Sequence, residues 1–316
     1  MNAVRRDDAV RAGTGPRVAV LGAGVIGRVL AARLVSGGVD TVLVARGRTL
    51  DEVRERGIRL RMSGNREYVG VPVTTIDEVG PVDVLFLCLR ADALDAVLPQ
   101  VAALGAPVVV PMMHLGSRHA DLVAPFGADR VVRAFPGYGG YIDHEGTVEW
   151  LDLGTRQPTT VEAGLPGSDL VVEVVRAGGL AVEATTDMDG WMAAHVVLIS
   201  AMGAAILAAD GDLHEAARRG NVRALVEAIR DGFLALRDRG VAISPRSIDV
   251  LFMRMPRWFA VEYWHRALPG PVGAISMRPH TLASRDDELP VVFAEALRVT
   301  GGGRTGALAR LLAAVP

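Results

Sequence analysis

The stretch Gly22-Ala23-Gly24-Val25-Ile26-Gly27 decides the fold of this chain, because it places glycine at the first, third and sixth positions of a turn. An apolar run at residues 17–21 precedes it, and an amphipathic stretch at residues 28–36 follows. In such a unit the first glycine permits the tight bend, the second lets an anion approach the backbone, and the third lets helix and strand pack closely. The turn therefore predicts a site for the pyrophosphate of a dinucleotide, with a purely structural glycine turn as the alternative. The residues assigned to this site are Gly22, Gly24, Val25, Ile26 and Gly27.

A second apolar run, residues 41–45, follows at the spacing of a β-α-β unit. The sequence at its end, Val44-Ala45-Arg46-Gly47-Arg48, contains two guanidiniums and no carboxylate before Asp51. An Asp or Glu here usually binds the ribose 2′-hydroxyl of NAD, whereas arginine offers a planar set of donors that suits the 2′-phosphate of NADP. Arg46 and Arg48 are therefore assigned to an NADP(H) site. The alternative is that they are solvated loop residues.

The rest of the pattern predicts an α/β fold, in which an N-terminal Rossmann dinucleotide-binding domain precedes a mostly α-helical C-terminal domain. Further strands are expected at residues 58–62, 67–73, 82–89, 107–110, 130–134, 138–142, 147–151 and 180–184, and further helices at residues 49–57, 92–104 and 169–177. After residue 185 helices are expected at residues 187–209, 213–239, 245–265 and 286–299. The predicted division is a loose tail at residues 1–16, the dinucleotide-binding domain at 17–186 and a helical substrate domain at 187–316. The cleft between the two domains is the expected active site.

Composition argues against several classes of protein. At 316 residues, with 50% of them hydrophobic, the chain is long enough for two cores. A net charge near −2 provides no basic stripe for nucleic acid. The longest apolar run, residues 196–209, is shorter than the roughly 20 residues needed to cross a bilayer. Residues 1–16 lack the apolar segment of a secretory signal, so a cytoplasmic protein is expected.

The chain contains no lysine, since all 34 of its Lys and Arg residues are arginine. This composition also fits a genomic bias toward arginine codons. It excludes Schiff-base chemistry on a lysine and any mechanism in which a lysine ammonium is the acid. The single cysteine, Cys88, lies in a strand pattern and is expected to be a buried, unreactive thiol. No spacing of His, Cys and carboxylate residues indicates a metal site.

Four motifs resemble the ketopantoate reductase family over residues 17–299. They are Gly22-Ala23-Gly24-Val25-Ile26-Gly27, Leu43-Val44-Ala45-Arg46-Gly47, Leu87-Cys88-Leu89-Arg90, and Trp191, which opens the first helix after the sheet. The resemblance implies an NADPH-binding Rossmann domain, a helical C-terminal domain that often dimerises, and reduction of a carbonyl in the cleft. It also implies that Arg46 holds the 2′-phosphate and that Leu89 and Arg90, the latter in place of a lysine, lie at the cofactor site. A small-molecule substrate and a second copy of the chain, in a homodimer, are the expected partners.

The catalytic half departs from the family pattern. The resemblance implies a lysine two residues after the tryptophan as general acid, with asparagines four and eight residues further on. These positions are Ala193, Val197 and Ala201. The family's asparagine after the next strand is also missing, because Met112-Met113-His114-Leu115-Gly116 occupies that loop. Ketopantoate reduction itself is therefore not expected.

Four residues are candidates for the proton donor of a reductase. His114 ranks first because it leaves a strand at the carboxyl edge of the sheet, where open α/β folds bind ligands; the alternative is an exposed loop histidine. Tyr138 lies in another glycine-rich connection at that edge. The alternative is that its side chain only packs against its neighbours. His195 lies two residues beyond the lysine position and so points about 200° away from it, which favours a core histidine. His280 precedes Asp286-Asp287-Glu288, whose other interpretation is the start of a helix.

Two hypotheses follow. The first is an NADPH-dependent reductase that acts on a ketone, imine or iminium larger and less polar than ketopantoate, in specialised metabolism. An iminium already carries its charge, so it needs less help from an acid than a carbonyl does. The second is a non-redox cyclase or binding protein that retains the cofactor fold. Opine dehydrogenases also join these two domain types, but the Arg46 pattern and the long hairpin after the second strand favour the ketopantoate reductase family.

Overall fold

A five-stranded parallel sheet forms the N-terminal half of the protein in a computed structural model, which describes residues 15–90, 93–114, 119–302 and 306–315. The strands are β1 (Val18–Leu21), β2 (Thr41–Val44), β3 (Ile58–Met62), β4 (Asn65–Val69), β5 (Val73–Thr74), β6 (Val84–Leu87), β7 (Val108–Pro111), β8 (Ala134–Phe135), β9 (Tyr138–Ile142), β10 (Val148–Asp152), β11 (Thr159–Glu162) and β12 (Val182–Thr185). The helices are α1 (Val25–Ser36), α2 (Gly47–Arg56), α3 (Leu94–Ala103), α4 (His119–Phe126), α5 (Ser168–Ala177), α6 (Met188–Leu207), α7 (Leu213–Ala216), α8 (Arg219–Asp238), α9 (Arg246–Asp249), α10 (Arg257–Ala267), α11 (Arg278–Ala283), α12 (Glu288–Val299) and α13 (Ala307–Ala313).

The parallel sheet has the strand order β5-β2-β1-β6-β7. The chain runs outward from β1 to β5 on one side and then returns to add β6 and β7 on the other, so the direction of winding reverses between β1 and β6. Strands β1, β2, β6 and β7 are buried along their whole length. In open α/β sheets ligands bind beyond the carboxyl ends of the strands at such a reversal. The predicted Rossmann fold is confirmed, and the glycine turn lies at its switch point.

Two smaller sheets follow, with orders β4-β3-β10-β9 and β12-β11-β8. The predicted strand at residues 130–134 is wrong over most of its length: Val131 makes one isolated bridge to Val109, and β8 begins only at Ala134. Strand β11 was not predicted. Its sequence Thr-Thr-Val-Glu contains a single apolar side chain, so no alternation of apolar and polar residues marks it.

The helical half differs from the sequence prediction in where its helices break. The helix expected at residues 245–265 is divided into α9, a π-helical turn at Val250–Arg254, and α10. Pro256 accounts for the break, because it donates no backbone hydrogen bond and disfavours helical geometry in the residue before it. Helices α4 and α13 were not predicted. Each is short, and α4 contains Pro125.

Buried apolar residues form separate clusters in the two halves. The largest cluster of the N-terminal half draws on residues 18–182, whereas the main cluster of the helical half draws on residues 193–315. Helix α6 has the length and hydropathy of a membrane span, but most of it is buried inside the protein, as in a core helix. Its bounds agree with the helix expected at residues 187–209, and Met188, Gly190 and Trp191 extend its buried surface beyond the apolar run at residues 196–209.

Candidate active site

The glycine turn between β1 and α1 is packed against the end of β6. Gly22 has a φ of +111°, and a Cβ atom added there would lie 2.4 Å from the carbonyl oxygen of Cys88. A Cβ atom on Gly27 would lie 1.8 Å from the carbonyl oxygen of Gly22. Both contacts are far shorter than side chains tolerate, so only glycine fits at the first and sixth positions of the turn.

Gly24, the middle glycine, faces open space. It is the N-cap of α1, it provides no side-chain cap, and a Cβ atom added there would meet nothing within 4 Å. The first turn of α1 contains no acidic residue. The amide groups that begin this helix at Val25 and Ile26 are therefore available to an anion, which the helix dipole also favours.

Arg28, immediately after the glycine motif, stabilises the turn through its side chain. Its side chain is buried, and its Nε donates a hydrogen bond to the carbonyl oxygen of Ala23 at 2.8 Å. Its guanidinium also pairs with Glu52 of α2 at 3.4 Å. The turn is thus tied to the helix that follows β2. Sequence reasoning missed this residue, although a charged side chain within the apolar stretch of α1 was a signal for it.

The end of β2 presents the two predicted arginines to solvent. Arg46 is the N-cap of α2, and Arg48 lies in its first turn; both are exposed. Within the described part of the chain neither makes an ion pair or a side-chain hydrogen bond, and the first acidic residue after the strand is the exposed Asp51. Because β2 neighbours β1, these guanidiniums lie at the same edge of the sheet as the glycine turn. Two unpaired guanidiniums at that edge form a site suited to a phosphate group.

The end of β6 lies between the glycine turn and the helical half. The Cδ2 atom of Leu89 is 2.9 Å from the position of a Cβ on Gly22, so Leu89 lies against the turn. Arg90 forms an ion pair with Asp287, the N-cap of α12. The hydrogen bond from Arg90, followed by that from the Glu288 amide, lowers the pKa of Asp287. Asp287 therefore has the helix-capping role that was the alternative at the sequence level, and it links α12 to the sheet.

A column of stacked rings stands at the carboxyl edge of β7. The His114 ring stacks on His195 of α6, with centroids 5.2 Å apart and planes 19° apart. His195 stacks in turn on Trp191, with centroids 4.8 Å apart and planes 12° apart. Phe135 of β8 packs against all three rings, at centroid distances of 4.4–5.1 Å. The segment after β7, strand β8 and helix α6, which are distant in sequence, thus meet in this ring column.

His280 completes a group of three histidines. It lies on α11 at the protein surface, close enough for its charge to act on His114 and His195. Burial, followed by His280, lowers the pKa of His114 to about 3. Burial, followed by His114 and His280, holds the pKa of His195 well below its ordinary value. Both column histidines are therefore neutral near pH 7.

The column contains polar atoms without partners. The Nε2 of His114 and the Nε1 of Trp191 are buried and have no hydrogen-bond partner in the described structure. Buried polar atoms are rarely left unsatisfied, and exceptions cluster where a ligand or water completes the bonding. A neutral imidazole can donate a hydrogen bond to an oxygen through Nε2, provided that the proton resides there.

One polar contact and one close-packing contact hold the elements around the histidines in place. Arg133 is buried; its Nε donates to Glu162 of β11 at 2.9 Å, and its guanidinium also pairs with Asp189 in the first turn of α6. The π-helical turn at Val272–Met277, which leads into α11, packs on β9, where a Cβ on Gly139 would lie 2.4 Å from the Ser276 Oγ. No sequence pattern indicated either contact.

The positions expected for a lysine and two asparagines belong to the helical core. Val197 and Ala201 are fully buried, and Ala193 packs against the same cluster. His195 lies two residues after Ala193 and enters the ring column instead, in agreement with the angle between them around the helix. Within the described residues, no group of three or more His, Cys, Asp or Glu side chains could hold a metal ion.

Tyr138 lies beneath the glycine turn. Its side chain is buried, its hydroxyl donates to the carbonyl oxygen of Ile26 at 3.3 Å, and its ring meets Trp150 edge-on. Burial, with Cys88 and Asp152 nearby, raises its pKa well above the ordinary value. These contacts give Tyr138 the packing role that was its alternative at the sequence level. Cys88 is buried, and burial raises its pKa too, as expected for an unreactive thiol.

The glycine turn lies at the switch point of a parallel sheet, and a helical half follows it, so the chain is a two-part protein with an N-terminal Rossmann fold. Residues 18–161 match the family model described as ketopantoate reductase PanE/ApbA. A 2-dehydropantoate 2-reductase of Archaeoglobus fulgidus is 25% identical over 174 residues. The aligned part covers 55% of this chain and 57% of that protein's length. Residues 18–161 thus resemble the ketopantoate reductase family.

Solved structures share the fold over nearly the whole chain. The 2-dehydropantoate 2-reductase of Geobacter metallireducens superposes with a TM-score of 0.74 at 17% identity, covering 95% of this chain and 98% of that one. D-mandelate dehydrogenase, in a ternary structure with NADH and anilino(oxo)acetate, gives 0.69 at 14% identity, covering 95% and 97%. At these identities the likeness establishes the architecture of both halves.

Proposed function

We propose that the protein is an NADP-dependent oxidoreductase that reduces a ketone, imine or iminium larger and less polar than ketopantoate. The observation that carries this proposal is the neutral ring column of His114, His195 and Trp191 at the carboxyl edge of the sheet that carries the glycine turn. The match of residues 18–161 to the ketopantoate reductase family model supports an oxidoreductase. The absence of any lysine in the chain supports a reaction other than that of the curated relatives.

The cofactor assignment rests on the glycine turn and on the arginines at the end of β2. A nicotinamide dinucleotide is supported by the family and by the NADH in the D-mandelate dehydrogenase structure. Arg46 and Arg48, with no carboxylate before Asp51, favour the 2′-phosphate of NADP over the 2′-hydroxyl of NAD. When bound, the cofactor would supply a hydride to the electrophilic carbon of the substrate.

His114 is proposed to stabilise the oxygen of the substrate. Its Nε2 is buried without a partner, and the stacked rings restrict how the imidazole turns. Because the pKa of His114 is lowered to about 3, it acts as a neutral hydrogen-bond donor and not as an imidazolium acid. The proton that neutralises the alkoxide then comes from solvent. An iminium substrate would need no such proton.

The walls of the site favour an apolar substrate of specialised metabolism. Phe135 and His195 pack against His114, Trp191 stacks on His195, and neither column histidine is charged near pH 7. A compact, highly polar keto acid gains little from such surroundings. An apolar or aromatic substrate, in contrast, is stabilised by packing against aromatic rings.

The direct test is NADPH consumption with a panel of aromatic ketones, cyclic imines and ketopantoate, followed by NADPH absorbance. We expect turnover with at least one ketone or imine and little with ketopantoate. Tight NADPH binding without consumption by any member of the panel would favour the alternative, a non-redox cyclase or binding protein. Absence of NADPH binding would contradict the cofactor assignment itself.

Gly24→Ala is expected to weaken NADPH binding about tenfold and leave the melting temperature unchanged. The added Cβ meets no protein atom, so it occupies only the space that the pyrophosphate would enter. Gly27→Ala is the matched contrast: its Cβ collides with the Gly22 carbonyl and is expected to cost about 1–3 kcal/mol of stability. Fluorescence titration and thermal unfolding measure the two effects. Normal NADPH affinity in Gly24→Ala would place the cofactor elsewhere.

Ala193→Lys is not expected to create ketopantoate reduction. The new ammonium would lie beside the helical core, with Val197 and Ala201 buried at the positions where polar partners are required. Without polar neighbours its pKa falls, and the amine loses its value as an acid. Ala193→Met controls for side-chain length. A tenfold gain in ketopantoate turnover, in Ala193→Lys alone, would show that the lysine position is still in register with the substrate.

A further inference from the structure

A groove of about 610 Å³, which we call the α8–α10 groove, lies between these two helices on the surface of the helical half. Its apolar lining consists of Val226 and Val261, which are buried, and Trp258, which is 69% exposed. A cavity of this volume is within the range that small-molecule ligands occupy. An exposed indole beside buried valines offers a flat apolar surface on which an aromatic ring can stack.

One carboxylate of the groove is already neutralised. Glu262 contacts Arg219 at 3.2 Å, and it also contacts Arg266 at 2.8 Å. This single glutamate is therefore shared by two guanidiniums. It leaves no negative charge for the other arginines of the lining.

The remaining charges of the groove are two arginines and one glutamate. Arg223 and Arg257 are exposed, and neither forms an ion pair within the part of the chain that the structure describes. Glu227 lies one helical turn after Arg223 on α8 but forms no ion pair with it. The donors of two guanidiniums from two different helices thus remain available to a ligand.

Arg230 adds another positive charge one turn beyond Val226, on the same face of α8. Its guanidinium donates to the carbonyl oxygen of Phe252, and its Nε is buried without a hydrogen-bond partner in the described structure. Burial, followed by the charges of Arg257 and Arg237, lowers the pKa of Arg230. An anion bound near Arg257 would offset this repulsion between guanidiniums.

We propose that the α8–α10 groove binds a small molecule that joins an aromatic ring to a phosphate group. The ring would stack on Trp258, and the phosphate would accept hydrogen bonds from Arg223 and Arg257. The three lining arginines and Arg230 exceed the two lining glutamates by two positive charges. This excess matches a phosphate, which carries nearly two negative charges at pH 7, better than it matches one carboxylate.

The test is calorimetric titration of the protein with phenyl phosphate, with inorganic phosphate and benzoate as comparison ligands. Phenyl phosphate is expected to bind with a dissociation constant below about 1 mM. Each comparison ligand is expected to bind at least about tenfold more weakly, because one lacks the ring and the other carries a single negative charge.

Variants of the lining locate the bound ligand. Trp258→Ala is expected to weaken phenyl phosphate binding about tenfold, whereas Trp258→Phe keeps an aromatic ring and stays within about threefold. Arg223→Gln and Arg257→Gln are each expected to weaken it about tenfold. Arg246→Gln is the matched control, because this exposed arginine of α9 does not line the groove and its loss changes the net charge equally. The control is expected to leave the affinity unchanged.

Gly24→Ala distinguishes the groove from the cofactor site, because Gly24 belongs to the glycine turn of the N-terminal half. This variant is expected to bind phenyl phosphate like the unmutated protein. The proposal therefore does not depend on the proposed function, and the two can fail separately. Circular dichroism of every variant confirms that it is folded.

Four results would overturn the proposal. Phenyl phosphate could fail to bind at millimolar concentration. Its affinity could be unchanged in Trp258→Ala and Arg223→Gln. It could be lost in folded Gly24→Ala, which would place the phosphate at the glycine turn. Inorganic phosphate or benzoate could bind as tightly as phenyl phosphate, which would remove the ring or the phosphate from the description of the ligand.

Discussion

His114→Ala is expected to lower kcat on the native substrate by about 10²–10³-fold, the usual effect of losing one donor to a developing oxyanion. The dissociation constant of NADPH is expected to change little, because His114 lies at the end of β7 and not in the glycine turn. The Nε2 atom of His114 is buried without a partner and the ring is held in the column, so no nearby group replaces it. Single-turnover kinetics with saturating NADPH measure the effect.

The pH dependence of this effect distinguishes a neutral donor from an acid. A histidine whose folded-state pKa is lowered to about 3 is neutral throughout pH 5–8, so its hydrogen-bond donor persists across that range. The ratio of kcat between the unmutated protein and His114→Ala is therefore expected to stay constant from pH 5 to 8. If this ratio of kcat values instead falls as the pH rises, with a midpoint near pH 6.5, the imidazolium is the active form.

His195 provides the matched comparison. His195→Phe keeps a ring between Trp191 and His114, so it is expected to preserve most of the activity, whereas His195→Ala removes the support of the column. Normal turnover in His114→Ala would mean that the donor lies elsewhere or that the substrate is an iminium. His280, the surface member of the histidine group, would be the next residue to test.

The parts of the site that sequence alone predicted are local ones. The turn from Gly22 to Gly27 and the arginines after β2 lie within one β-α-β unit, where strand, turn and helix follow each other directly in the chain. Their spacing determines their geometry, because parallel strands connected by a helix end at the same edge of the sheet. The periodicity of the apolar residues and the residue types in the turn were therefore sufficient to predict this part of the site.

The ring column was beyond the reach of sequence reasoning because its members come from separate elements. His114 follows β7, Phe135 ends β8, and Trp191 begins α6. The ion pair of Arg133 with Asp189, in the first turn of α6, joins two of these regions, and no local sequence pattern indicates it. The sequence indicated His114 and His195 as separate candidates, whereas the structure shows that their rings stack and that burial lowers the pKa of both.

The role that the family resemblance implied for Arg90 changes when the fold is known. The family resemblance places it at the cofactor site, whereas the structure pairs it with Asp287 at the start of α12. Half of each side chain remains exposed, so the ion pair itself stabilises the protein little. Its consequence is positional: it joins the sheet edge to the helical half near the glycine turn. A cofactor contact by Arg90 stays a prediction.

Arg46→Ala is expected to weaken NADPH binding about 10–100-fold and to leave NADH binding within about twofold of its original value. A charge-assisted hydrogen bond from a guanidinium to a phosphate is worth about 1.5–3 kcal/mol, and NADH lacks that phosphate. Arg46 is exposed and unpaired within the described residues, so its loss disturbs no structural contact. Fluorescence titration of both cofactors against both proteins measures the change in preference.

Arg48→Ala resolves the alternative that this loop is merely solvated. If Arg48 shares the phosphate, its removal weakens NADPH binding in the same direction but less than the loss of Arg46, because Arg46 lies nearer the end of β2. If Arg48 is solvated, both dissociation constants stay unchanged. Equal affinity of the unmutated protein for NADPH and NADH would contradict the assignment, because unpaired guanidiniums without a competing carboxylate favour the cofactor that carries the additional phosphate.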